Sequence, residues 1–324
     1  MHFDVFNGDA DGIIALVQLR LAEPKESTLI TGVKRDISLL KQVKLTLADS
    51  TTANSITVLD ISLEKNIDAL NLHLENKTDV FYIDHHRTGD IPRSEHLTTL
   101  INTDANTCTS LLVNEYLKGA YVHWAIAAAF GDNMTQSAIT LAKSVGLASL
   151  QQEQLKALGI YINYNGYGRD VEDLHFHPAE LYKALLHYSD PLDLIAEQGS
   201  IFHQLEKAYQ QDMEKSATAT VLADSDISKV VQLDDAPWAR RVSGVFGNDL
   251  ANQSPNKAHA VVTLNQDSTY TVSVRAPLNN KQGADEVCIQ FPTGGGRAGA
   301  AGINNLPQDL LATFIKTLDN FYQK

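Results

Sequence analysis

Three short apolar runs, His2–Phe6, Ser55–Leu59 and Asp79–Ile83, each lead straight into a group of acids or histidines. The first is followed by Asn7-Gly-Asp9-Ala-Asp11-Gly12, the second by Asp60 and the third by Asp84-His85-His86. Helical segments separate them, beginning with Ile13–Leu21. Strands alternating with helices predict a parallel sheet with crossover helices, and such sheets collect ligands outside the carboxyl ends of their strands. All three runs deliver ionisable groups to that end, so the expected fold class is α/β with a site along one edge of the sheet.

Further along, Thr107–Leu117 and His123–Phe130 read as helices, the second leading into Gly131-Asp132-Asn133, and Thr135–Leu150 reads as a further helix. Tyr161–Arg169 (YINYNGYGR) reads as a loop. A long amphipathic helix is expected from Leu192 to about Leu222. Beyond Asp224 the pattern changes to short strands, Ser228–Leu233, Ala258–Leu264 and Tyr270–Arg275, followed by the glycine-rich run Gly294–Gly302. The expected organisation is a parallel-sheet domain over 1–190, a helical linker over 191–225 and a smaller α/β domain over 226–324. A chain of 324 residues exceeds what one core normally fills.

The net charge of −13 argues against wrapping duplex DNA, while a short phosphorylated substrate remains compatible because bound cations invert the local potential. Cys108 and Cys288 suggest no disulfide framework. The N-terminus carries no signal-like segment, and no apolar run approaches the ~20 residues that span a bilayer. The expectation is a soluble, cytoplasmic protein without a membrane partner.

Acids two apart at a strand end aim different oxygens at adjacent cations, and oxygen ligands with one or two imidazoles suit Mn²⁺, Mg²⁺ or a related ion. An aspartate such as Asp60 can bridge two ions about 3.5–4 Å apart, and such a pair activates water against a phosphoester. The glycine run Gly294-Gly295-Gly296-Arg297 permits close backbone approach to an anion, and its Ala-rich continuation is expected to start a helix whose N-terminus binds phosphate. Arg297 adds a charged fork.

The ordered set D-x-D-G, a strand-terminal Asp, D-H-H, a helix-flanked Asp and G-G-G-R-x-G-A-A-G resembles the DHH phosphoesterases, a superfamily of RecJ-type exonucleases, nanoRNases, exopolyphosphatases and family II pyrophosphatases. The resemblance spans nearly the whole chain and implies a DHH domain, a DHH-associated C-terminal domain and a substrate cleft between them. It places Asp9 and Asp60 on one divalent ion and Asp11, Asp60, His85 and Asp132 on a second. The ions it implies are two Mn²⁺, with Mg²⁺ or Co²⁺ as alternates. Asp60, His85 and His86 would form the catalytic group, with His86 beside the substrate phosphate. The C-terminal segment is similar to a substrate-binding motif made here by Arg275, Gly294, Gly295, Gly296 and Arg297. Two positions depart from the family pattern. Val5 stands where many relatives have His, and Asn7 where RecJ-like members have Asp, leaving Asn7 as a neutral ligand to the first ion or water to fill the gap.

The implied reaction is hydrolysis of short linear 5′-phosphorylated dinucleotides such as pGpG or pApA. A phosphoanhydride hydrolase and a catalytically weak nucleotide-binding regulator are the rival readings, and a homodimer is compatible with each. Lesser signals are His175-Phe-His177, read as a solvated loop, and Tyr161, Tyr164 and Tyr167, read as packing under a loop. Thr107–Ser110 reads as a helix start, and His123 and Trp124 as core residues.

Overall fold

The computed structural model describes residues 1–43, 55–104 and 106–323. It divides into two compact units, Met1–Lys207 and Ala208–Lys324.

The first unit runs β1 (His2–Phe6), α1 (Ala10–Ala22), β2 (Thr28–Ile30), β3 (Ser55–Leu59), α2 (Leu63–Glu75), β4 (Asp79–Asp84) and β5 (Leu97–Ile101). Helices α3 (Thr109–Tyr116), α4 (Val122–Gly131), α5 (Thr135–Ser144), α6 (Ser149–Asn165), α7 (Pro178–Leu185), α8 (Pro191–Ala196) and α9 (Ile201–Ser216) follow, and the unit boundary falls within α9. Its five strands form one sheet in the order β2-β1-β3-β4-β5, and every pairing is parallel. The sequence reading anticipated β1, β3 and β4. It missed β2, which is three residues long, and β5, whose Thr98 and Thr99 are exposed and carry no apolar signal.

Alternation along β1 sends Phe6 to one apolar cluster and Phe3 and Val5 to another. The first cluster holds the buried faces of α1, α3, α4 and α6. The second is closed by Leu39, Leu40 and α2 residues Leu63, Leu70 and Leu74. A parallel sheet covered on both faces needs strands that are apolar throughout, yet Asp4 in β1 is fully buried. It persists because Arg20 of α1 donates to it from Nε at 2.9 Å and Nη2 at 2.5 Å, and Ser27 donates at 2.6 Å.

Three expectations from the sequence are corrected here. The stretch 135–150 is two helices, α5 ending at Ser144 and α6 starting at Ser149, with Gly146 at φ +75° between them. The supposed loop 161–169 is largely helix, since α6 continues to Asn165. Leu155, Leu158 and Ile162 keep its apolar stripe buried, and the buried Asn165 accepts the backbone N–H groups of His175 and Phe176 at 3.1 and 3.0 Å. The long helix over 192–222 is instead α8, α9 and part of a strand, interrupted at Gly199 with φ +77°.

The second unit contains β6 (Thr220–Asp224), β7 (Ser228–Leu233), α10 (Pro237–Gln253), β8 (Ala258–Leu264), β9 (Thr269–Arg275), α11 (Ala284–Cys288), β10 (Gly294–Arg297), β11 (Ala300–Pro307) and α12 (Leu311–Tyr322). Its sheet has the order β10-β11-β9-β8-β7-β6. β7 and β8 are parallel and the other pairs antiparallel. Val230, Val262, Val272 and Ile303 of the sheet pack with Val287 of α11 and with Phe314 and Leu318 of α12. The glycine-rich run does not open a helix, which corrects the expected phosphate-binding N-terminus. It forms a hairpin in which Gly294 pairs Ile303 and Arg297 pairs Ala300, because Ala301 and Ile303 bury side chains in the core from an extended chain. Among the described residues, no helix is long and apolar enough to cross a membrane.

Candidate metal centre

The carboxyl ends of β1, β3 and β4 bring together most of the expected site. Beyond β1 the chain turns through Asn7 and Gly8, and Asp9 caps α1 by accepting the Gly12 N–H at 3.1 Å. Asp11 lies in the first turn of α1, and its oxygens accept the backbone N–H groups of Ser110 at 2.7 Å and Thr109 at 2.8 Å. Those amides are the open N-terminus of α3, whose dipole favours an anion. They hold the Asp11 carboxylate in one orientation.

Asp60 follows β3 with φ +59°, a left-handed conformation that few side chains adopt. It is fixed by its own N–H, which donates to the Ile83 carbonyl at 3.1 Å, and by Thr109, whose hydroxyl donates to Asp60 Oδ1 at 3.1 Å. His85 places Nε2 3.4 Å from Asp60 Oδ1 and 3.7 Å from Asp11 Oδ2. Its Nδ1 donates to the Thr107 carbonyl at 2.9 Å. His86 turns to Asp84, with Nδ1 2.7 Å from Oδ1, and one atom each from Asp60, His85 and His86 lie within 4.8 Å of one another.

The site concentrates negative charge. Burial, reinforced by the charges of Asp11 and Asp9, pushes the Asp60 carboxyl well above its ordinary range. Burial opposes protonation of His86, but the hydrogen bond and charge of Asp84, with Asp60 beyond, raise its pKa. Nε2 of His85 and the carboxylates of Asp11 and Asp60 stand farther apart than hydrogen-bonded partners, yet within twice a metal–oxygen bond of ~2.1 Å. The neutral imidazole with Nδ1–H tied to a carbonyl is the arrangement that presents Nε2 to a metal. These three residues fit one divalent ion.

The other acids are arranged differently. Asp132 ends α4 and faces Lys34, whose Nζ lies 3.6 Å from its Oδ1. Lys34 also forms an ion pair with Asp9 Oδ2 and donates to Asn163 Oδ1 at 3.1 Å. Burial works against the ammonium, but Asp9, Tyr167 and Asp132 outweigh it and raise its pKa. Asp9 is likewise held below the usual carboxylate range; burial alone would raise it, and Lys34 reverses that. Asn7 donates through Nδ2 to the Lys34 carbonyl at 3.1 Å, and its buried Oδ1 has no hydrogen-bond partner. No sequence signal marks Lys34 for this role, because it sits in a mixed stretch without a motif.

In the second unit, Arg275 donates to Asn248 Oδ1 at 2.5 Å, Ser273 Oγ at 3.0 Å, the Val274 carbonyl at 3.1 Å and the Gly244 carbonyl at 3.0 Å. The bonds to Asn248 and Gly244 tie β9 to α10, and the other two close back onto β9 itself. Gly295, Gly296 and Arg297 are exposed on β10. His175 bonds the Tyr164 hydroxyl at 2.8 Å and His177 caps α7, so the H-x-H pair does not converge. Tyr164 and Trp124 are fully buried.

No family model matches the sequence, and no curated protein matches it. Solved structures share the fold along its whole length. Exonuclease RecJ bound to manganese matches 100% of this chain and 90% of its own at 17% identity, with a TM-score of 0.59. A pGpG-specific phosphodiesterase, PggH from Vibrio cholerae, matches 99% of each chain at 14% identity and a TM-score of 0.56. An exopolyphosphatase-related protein from Bacteroides fragilis matches 99% of this chain and 92% of its own at 13% identity and a TM-score of 0.52. The chain thus shares its fold with these proteins, in line with the sequence resemblance.

Proposed function

We propose that the chain is a metal-dependent phosphodiesterase that hydrolyses short linear nucleotides, with 5′-phosphorylated dinucleotides such as pGpG or pApA as its substrate class. The observation that carries the reading is the orientation of His85, with Nδ1 held by a carbonyl and Nε2 3.4 Å from Asp60. Asp11, Asp60 and His85 would hold a divalent ion, Mn²⁺ or Mg²⁺. Such an ion supplies Lewis acidity toward a phosphoryl oxygen.

The protein's own groups then have distinct tasks. The α3 amides and Thr109 fix the two carboxylates, so the oxygens need no rearrangement when substrate arrives. His86, whose pKa is raised by Asp84 against the opposing burial and whose side chain is about one-third exposed, would donate to a phosphate oxygen. Arg297, exposed on β10, would supply the fork for a terminal phosphate. The presence of a pGpG-specific phosphodiesterase among the fold neighbours supports a short nucleotide substrate.

The test is chromatography of products after incubation of the protein with Mn²⁺ and, separately, pGpG, pApA, a longer oligoribonucleotide and pyrophosphate. Mononucleotide from the dinucleotides is expected. Phosphate from pyrophosphate alone would replace the reading with a phosphoanhydride hydrolase, and binding without turnover on every sample with a nucleotide-binding regulator.

A further inference from the structure

Two acids expected to serve metal ions, Asp9 and Asp132, converge on an ammonium group. Lys34 pairs with Asp9 Oδ2, lies 3.6 Å from Asp132 Oδ1, donates to Asn163 Oδ1 at 3.1 Å and sits 5.6 Å from the centre of the Tyr167 ring. This shell of oxygens and a π-face drawn from four separate positions is what a buried cation requires.

The placement is built into the backbone. The Lys34 N–H donates to the Gly166 carbonyl at 2.8 Å, and its carbonyl accepts from Asn7 Nδ2 at 3.1 Å. Gly8, in the turn before Asp9, packs so closely on Gly32 that a Cβ would lie 1.8 Å from the Gly32 carbonyl oxygen. That contact brings the Lys34 segment against the β1–α1 turn. Only 22% of the Lys34 side chain meets solvent, unlike a surface lysine with a free choice of partners.

Both Asp9 oxygens are occupied, Oδ1 by the Gly12 N–H and Oδ2 by Lys34. A divalent ion at Asp9 would have to displace the ammonium or lie beside it, where like charges repel. Asp11 and Asp60 instead face imidazoles, with His85 Nε2 3.7 Å from Asp11 Oδ2 and 3.4 Å from Asp60 Oδ1, and His86 Nδ1 3.8 Å from Asp60 Oδ1.

We infer that Lys34 permanently fills the place of one of two metal ions, so that the chain works with a single divalent ion held by Asp11, Asp60 and His85. The inference rests on the proposed metal-dependent function. It also gives Asn7 a different task from the neutral ligand expected of it: Asn7 holds the Lys34 backbone in place. An ammonium offers donors of fixed charge and no exchangeable coordination position. It can neutralise the acids and attract a phosphate, while Lewis acid chemistry stays with the other cation.

Metal content after equilibrium dialysis against excess Mn²⁺, with the electron paramagnetic resonance spectrum of the bound metal, tests the assignment without any rate measurement. Wild-type protein is expected to hold one Mn²⁺ per chain with the six-line spectrum of an isolated ion. Lys34→Ala uncovers Asp9, Asp132 and the unpartnered Asn7 Oδ1, and is expected to double the content and give an exchange-coupled spectrum. Lys34→Arg is expected to stay at one. Two ions in the wild type would overturn the inference while leaving the metal-dependent reading intact. A natively folded Lys34→Ala that stays at one ion would overturn it equally. No bound Mn²⁺ in the wild type would remove the metal-dependent reading itself. Should Lys34→Ala fail to fold, the wild-type and Lys34→Arg contents still decide the matter.

Discussion

His85 Nδ1 lies 2.9 Å from the carbonyl oxygen of Thr107. A carbonyl only accepts, so Nδ1 carries the proton and the lone pair resides on Nε2, toward Asp60 and Asp11. Removing groups behind metal ligands typically lowers affinity or activity 10–100-fold. His85→Ala and Asp60→Ala remove the donors themselves. Each is expected to reduce Mn²⁺ affinity and turnover by more than ~100-fold, measured by calorimetric titration and product formation. Full Mn²⁺ affinity in His85→Ala would dismiss the ligand assignment.

The crowded carboxylates give the metal-free protein an unusual acid profile. Burial, Asp11 and Asp9 lift Asp60 well above its ordinary value of 3.8. Between those two values the folded state binds more protons than the unfolded one, so stability falls as pH rises through that window. The melting temperature of metal-free protein should therefore decline as pH rises above 3.8, less so in Asp60→Asn. Mn²⁺ should offset the decline. Identical slopes for wild type and Asp60→Asn would show that Asp60 does not titrate there.

Asp4 behaves in the opposite sense. Burial alone would raise its pKa, but hydrogen bonds from Arg20 and His2 and the Arg20 charge bring it down to about 2. Its contribution to stability is present above the ordinary 3.8 and is lost as pH falls toward about 2. Arg20→Ala leaves Asp4 charged and buried, a change that costs about 3–5 kcal/mol. Urea denaturation should show a loss of that size at neutral pH, and a loss below 1 kcal/mol would mean that Asp4 finds another partner or water.

Arg297→Ala isolates the terminal phosphate. A hydrogen bond to a charged group contributes about 1.5–3 kcal/mol, which corresponds to roughly 10–150-fold in kcat/KM. The loss is expected for pGpG and not for GpG. Equal losses on both substrates would take Arg297 out of phosphate recognition.

The strand-end acids were legible because apolar runs and the groups that follow them are local in sequence. The assembly of Asp11, Asp60 and His85 could be anticipated from three such runs. Lys34 could not. It lies 25 residues from its partner Asp9, in a polar stretch without periodicity, and its role depends on the Gly8–Gly32 contact that only the fold creates. The misread α6 shows a different limit. Tyr161, Asn163, Tyr164 and Asn165 have loop-like composition, but the spacing of Leu155, Leu158 and Ile162 commits the segment to a helix, and its polar side chains find buried partners. The Gly294–Gly296 run failed in reverse, since glycine permits a strand as readily as a phosphate loop and the buried Ile303 decided the outcome.

The left-handed backbone of Asp60 sets two selection pressures against each other. At φ +59° a glycine would be relaxed, and an asparagine would keep the shape without the charge. A library randomised at position 60 and screened only for heat resistance should return Gly or Asn, which relieve the backbone strain or the crowding with Asp9 and Asp11. The same library screened for turnover should return Asp alone. Position 60 is therefore where a gain in robustness and a loss of chemistry would arrive together, and stability engineering of this protein should leave it untouched.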